Sequence, residues 1–216
     1  MADEPVTLTR RLAHRLRRQR ALILGLVAGL GFAAVVQRAH DPANWFPAGI
    51  GRVYVAGTCS YSRVAVDMLA ADPAAPWVAL PLRVDTPEFD GPVCHATLAR
   101  LQAAGAWWLA LLPEAHACAR LQDWAGQRYP AETPAQGFPA WVDGAGQFRG
   151  FGVDPQQIAD LGLTPTAKIV AFWVEGGYAR ERVEGLGFTV PAGTAQGLPL
   201  RSPPLEPAPH APPAAP

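Results

Sequence analysis

The chain has 216 residues, which suits one domain of ordinary size plus tails, since domains cluster around 100–150 residues. Its 18 basic and 18 acidic residues cancel, so the overall balance excludes the large basic excess of a nucleic-acid-binding protein. The sequence contains no P-loop, no Rossmann glycine fingerprint and no GxSxG, so the enzyme classes built on those motifs have no support.

The basic charge is unevenly placed. Arg10, Arg11, Arg15, Arg17, Arg18 and Arg20 crowd into residues 1–20, and the uncharged run ALILGLVAGLGFAAVV follows at 21–36. This order is a topogenic signal: the arginines stay in the cytoplasm and the rest of the chain is exported. A bilayer core takes roughly 20 apolar helical residues, with about 17 tolerated, so 21–38 reads as a short transmembrane anchor. A cleaved signal sequence and a buried soluble helix are the alternatives, although VVQRAH after the run offers no clean small-x-small cleavage site. One lysine against 17 arginines is the usage of a GC-rich bacterial genome, which makes the exported side a periplasm.

Residues 39–49 read as a spacer. The fold begins near Gly49, with RVYVA (52–56) as a strand and helical spacing of Val64, Ala65, Met68 and Leu69 over 61–71. WVALPLRV (77–84) is a second strand, and Pro81 suggests an edge position or a bulge. Residues 93–128 read as two or three helices broken at Gly105 and Pro113. FPAWV and QFRGF around DGAG predict a β-hairpin, followed by a short helix over 155–161. The order is that of an α/β protein with a mixed sheet and flanking helices. Residues 164–197 are an unassigned extension with an apolar patch at 169–174, and the Pro-rich 198–216 reads as a disordered tail.

Three cysteines follow the anchor. Cys59 falls where a strand hands over to a helix, and a sulfur near a helix N-terminus is favoured as thiolate, the form that attacks disulfides. The bland alternative is a cysteine packed as a small hydrophobe. Cys94 and Cys118 read as a structural disulfide, as two free thiols, or as a metal site with His95 and His116, although the spacing fits no closed four-ligand pattern.

Thr58-Cys59-Ser60-Tyr61-Ser62 resembles the T-C-x-Y-C active-site turn of the thioredoxin superfamily, most of all that of periplasmic disulfide isomerases of the DsbC/DsbG kind. Gly137-Phe138-Pro139-Ala140-Trp141-Val142 is similar to that family's G-T-P strand, and the resemblance covers roughly residues 50–162. It implies a thioredoxin-like domain over 50–163 with a helical insert, in which Pro139 is cis and faces Cys59. It further implies that Phe138 and Pro139, with Tyr61, contact substrate, and that Cys94 and Cys118 are the insert's disulfide. Thr133-Pro134 is a rival for the cis-proline, but only Pro139 leads directly into a strand.

Ser62 stands where the family has its second active-site cysteine. With Cys59, Ser62 and Pro139 as the catalytic set, the expected activity is monothiol thiol-disulfide exchange, with Ser62 donating a hydrogen bond to the sulfur. No cofactor or metal is expected. The expected partners are exported cysteine-containing proteins or another thiol-redox protein, at the bacterial inner membrane, with the single-pass domain in the periplasm. The family's N-terminal dimerisation domain has no counterpart in this sequence. The alternative is a non-catalytic interaction module in a membrane, secretion or conjugation complex.

Overall fold

The computed structural model describes residues 5–82 and 86–198. Helix α1 (Pro5–His40) contains Gln19–His40, a stretch that is long and apolar enough to cross a membrane. Leu22, Leu24, Leu26, Leu30 and Phe32 on it are all more than 60% exposed, so this apolar surface has no protein partner among the described residues. The basic segment expected at 1–20 is partly covered: residues 1–4 lie outside the described residues, and the helix is already formed from Pro5.

The rest is a mixed α/β structure. Strands β1 (Gly51–Val55), β2 (Trp77–Pro81), β3 (Ala140–Val142) and β4 (Phe148–Phe151) form one sheet in the order β2-β1-β3-β4. β1 and β2 are parallel, with Gly51 opposite Trp77 and Val55 opposite Pro81, whereas β3 runs antiparallel to both β1 and β4. Pro81 thus ends an edge strand, where its missing N–H breaks no ladder. Residues 83–84 of the expected strand lie outside the described residues.

The period-2 alternation of strand side chains divides the core in two. Val53, Val55, Ala79 and Trp141 face a layer made by α2 (Ser60–Ala71), α5 (Pro155–Asp160), α6 (Ala167–Glu175) and α7 (Arg180–Gly185). Tyr54, Val78, Leu80, Ala140 and Val142 face α3 (Pro87–Ala103), α4 (Glu114–Glu132) and a 3-10 turn over Trp107–Leu111. Both faces are therefore covered, which explains strands as uniformly apolar as WVALP.

Two segments that read as a spacer and as an unassigned extension pack into the core. The 39–49 stretch packs into the domain: Ala39 and Pro42 are buried, and Trp45, in a 3-10 turn (Pro42–Trp45), is completely enclosed. The 164–197 extension contributes Ile169, Val170, Trp173, Val174, Val183 and Val190 to the core. The Pro-rich tail lies outside the described residues from 199 on.

A polar triad ties the sheet to α4. Arg52 donates to both carboxylate oxygens of Glu132 (2.9 and 2.8 Å), and Tyr54 donates its hydroxyl to the same group (2.6 Å). Burial alone lowers the Arg52 pKa, but the Glu132 hydrogen bond and charge outweigh it and the net shift is upward. Burial first, then Glu132, also raises the Tyr54 phenol well above its ordinary value. Arg52 in turn lies over the stacked rings of Phe46 and Trp124.

Candidate functional site

Cys59 caps the N-terminus of α2. Its N–H donates to the Ala56 carbonyl (3.0 Å), and its own carbonyl accepts the first helical hydrogen bonds, from Ser62 N (3.1 Å) and Arg63 N (3.3 Å). Two side chains fix this turn. Ser62 is fully buried and its Oγ accepts the Ala56 N–H (3.1 Å), while Arg63 donates twice to the Gly57 carbonyl (3.2 and 3.1 Å). Gly57 lies so close to Thr86, at the start of α3, that a Cβ there would collide with it.

The segment 137–139 faces Cys59. The Phe138–Pro139 peptide bond is cis, and the Cys59 thiol donates to the Phe138 carbonyl at 3.5 Å. Tyr129 holds this segment from α4: its hydroxyl donates to the Gly137 carbonyl (3.0 Å) and accepts the Gly137 N–H (2.8 Å). The Tyr129 ring also stacks on Phe138, with centroids 5.1 Å apart and planes 19° from parallel. From the other side, Gly152 N–H donates to the Pro139 carbonyl (2.8 Å). Gly152 adopts φ +90°, a conformation that glycine reaches without steric cost. The 152–153 loop is itself pinned by two indoles, Trp141 Nε1 to Gly152 O and Trp173 Nε1 to Val153 O, each at 2.7 Å.

A cleft of about 210 Å³ opens between Tyr61 on α2, the 151–154 loop, Phe172 and Trp173 on α6, and Tyr178. Tyr61 and Phe172 meet edge to face at 6.3 Å and are about half exposed (50% and 43%), so aromatic edges line the entrance. Burial first, then the charge of Asp154 and the neighbouring Tyr61, raises the Tyr178 phenol pKa.

Cys59 is the free cysteine, half-buried, and Cys94 is bonded to Cys118 with Cα atoms 5.7 Å apart, joining α3 to α4. His95 Nδ1 lies 3.4 Å from Glu114 Oε1, with both side chains more than half exposed. Among the described residues no three His, Cys, Asp or Glu side chains form a metal-binding group.

The structure therefore brings together Cys59, Phe138 and Pro139, while Tyr61 lines the cleft with Phe172. Ser62 is adjacent but engaged differently from expectation: its hydrogen bond is with Ala56 N–H, and none joins it to the Cys59 sulfur. The turn presents one half-buried sulfur against the Phe138 carbonyl. Compared with family models, curated proteins and solved structures, the chain matches none.

Sequence reasoning did not find Tyr129, Trp173, Phe172 or Tyr178. Thr166, whose hydroxyl accepts from Ile169 N at 3.4 Å, was an available signal for α6, since a threonine before an apolar run is an N-cap pattern. Nothing local marks Tyr129, because its partner Gly137 lies beyond the end of its own helix.

Proposed function

We propose that the chain is a membrane-anchored, thioredoxin-like protein that performs monothiol thiol-disulfide exchange through Cys59, isomerase-like, with its domain on the periplasmic side of a bacterial inner membrane. The observation that carries this reading is the Cys59 thiol at the N-terminus of α2, 3.5 Å from the carbonyl of a cis Phe138–Pro139 peptide. The parallel β1-α2-β2 unit and the antiparallel β3-β4 hairpin that follows support the thioredoxin-like assignment.

In the proposed reaction, the Cys59 thiolate attacks one sulfur of a substrate disulfide. A Cys59–substrate disulfide forms and the other substrate sulfur leaves as thiolate. A different thiolate on the same substrate then attacks the substrate sulfur of the mixed disulfide, restoring Cys59 and leaving a rearranged bond with no net oxidation. An extended substrate strand can donate an N–H to the Phe138 carbonyl while its side chains lie along the Tyr61 rim.

The buried Ser62 favours a second reading, a non-catalytic interaction module, because it removes the thiol that would resolve a mixed disulfide internally. The two separate on one experiment with the full chain in mild detergent. Incubation with oxidised glutathione should give a mixed disulfide that maps to Cys59 by mass spectrometry. The chain should also reshuffle a scrambled multi-disulfide protein, and both activities should vanish in Cys59→Ser. A Cys59 that stays unmodified, with no reshuffling, would leave only the interaction module.

A further inference from the structure

Among the described residues, the exposed large apolar side chains outside α1 are few: Tyr61, Phe172, Leu198, and Trp107 (60% exposed) with Leu111 (65%). The last two belong to the five-residue 3-10 turn Trp107–Leu111, which touches the C-terminal end of α1. We infer that this turn is a membrane-interface anchor, with Trp107 and Leu111 seated among lipid headgroups and upper acyl chains beside the exit of α1. The inference rests on the reading that α1 sits in a bilayer.

Position along the membrane normal carries the argument. The apolar run ends at Val36, and Arg38 lies two residues later, about 3 Å further along a helix that rises about 1.5 Å per residue. A guanidinium there belongs at headgroup level, because arginines at the ends of spans reach for the interface. Arg38 lies over the Trp108 ring at 5.6 Å, and the Trp107 ring is 6.0 Å from that of Trp108. The turn is thereby fixed at the depth of Arg38, inside an interfacial layer about 5–7 Å thick.

The junction is too tightly packed for the domain to stand off from the bilayer. Val35 and Val36 are already half-buried, Ala39 is buried, and Arg120 from α4 donates to the His40 carbonyl while meeting His40 Nδ1 at 3.1 Å. Tryptophan is the side chain that concentrates at membrane interfaces, where its ring is half apolar and its N–H finds a polar partner. An exposed Trp and Leu at this depth fit a lipid surface.

The test uses the full chain in a Cys59→Ser background, reconstituted in phosphatidylcholine vesicles. A single Leu111→Cys is labelled with an environment-sensitive fluorophore. Gln156→Cys, an exposed site on α5 across the sheet, is the control. The Leu111 probe should emit to the blue of the Gln156 probe and be quenched by lipids that carry a nitroxide high on the acyl chain. If the chain floats with vesicles but the two probes behave alike, the anchor is refuted and the membrane reading of α1 stands. A blue shift without lipid quenching assigns the turn to a second copy of the chain and overturns the lipid surface. A chain that does not float with vesicles removes the membrane reading and the anchor with it.

Discussion

Replacing Glu132 with leucine tests how the sheet is locked to α4. The change leaves the Arg52 guanidinium buried without its two carboxylate bonds and the Tyr54 hydroxyl without its acceptor. Breaking a buried ion pair by removing one partner costs about 3–5 kcal/mol, because an uncompensated charge remains. Arg52 and Glu132 each keep about an eighth of their side chains in water (13% and 12%), so the lower end, about 3 kcal/mol, is expected. With a urea m-value of about 2 kcal/mol/M, the unfolding midpoint should fall by about 1.5 M, read by tryptophan fluorescence of the full chain in detergent. The double variant Arg52→Met/Glu132→Leu removes the stranded charge as well, and should be more stable than Glu132→Leu alone. If the double variant loses the sum of the two single losses, the pair is not coupled and the account of this lock is wrong.

Alkaline pH should weaken the fold through Tyr54. Its pKa is raised in the folded state, so its contribution is complete below the ordinary tyrosine value of about 10 and is lost as pH climbs above it. Stability between pH 10 and 12 should fall by up to about 1.4 kcal/mol per pH unit from this group, a slope that Tyr54→Phe removes; an unchanged slope in that variant refutes the assignment. Cys94→Ala/Cys118→Ala should cost about 3 kcal/mol in the same urea assay, the loop-closure value for a separation of 24 residues, and reducing agent should destabilise the parent but not this variant. Tyr129→Phe removes both hydrogen bonds to Gly137, so it should slow mixed-disulfide formation at Cys59 while leaving the circular dichroism unchanged; an unaltered rate would mean that Phe138 needs no such positioning.

The parts of this fold legible in the sequence are those where local chemistry and tertiary role agree. RVYVA, the apolar spacing of Val64, Ala65, Met68 and Leu69, and the FPAWV-DGAG-QFRGF hairpin each form close to where their patterns predict, because each carries its own period and punctuation. The start of α3 is less visible: the apolar pattern begins near Val93, yet the helix starts at Pro87, with Glu88 and Asp90 in its first turn. Trp45 is hidden among Asp, Pro, Asn and Gly residues that read as a linker, and only its place in the core cluster with Tyr54 and Leu80 shows why it is ordered. The patch at 169–174 fits strand or helix equally, and burial of Trp173 against the 152–153 loop is what selects the helix. At the site, the cysteine is readable from its place between a strand and a helix, whereas the proline is readable only through the resemblance of Gly137-Phe138-Pro139 to the family's strand. The tyrosine that holds the proline segment is an ordinary helix residue until its long-range partner is known.

Ser62→Cys is the substitution that distinguishes a site that lacks a resolving thiol from a site that has been rebuilt for another purpose. Ser62 is three residues after Cys59, which caps α2 in extended backbone, so the turn sets whether the two Cβ atoms can reach the roughly 3.5–4.5 Å that a disulfide takes. The side chain is fully buried and already directed at the turn, through its hydrogen bond to Ala56 N–H, so a thiol there meets the cysteine from inside the fold. Loss of that hydrogen bond costs about 1 kcal/mol, too little to unfold a domain of this size. In the parent, a glutathione adduct on Cys59 should persist until an external thiol arrives. In Ser62→Cys the introduced thiol should expel glutathione and leave an internal bond between positions 59 and 62, seen as a loss of two hydrogens from the intact mass under oxidising conditions. A variant that folds, forms the adduct and never closes the internal bond would show that the turn holds the two positions apart. Ser62 would then be part of the architecture of a single-sulfur site, and the likeness to a dithiol turn would end at the sequence.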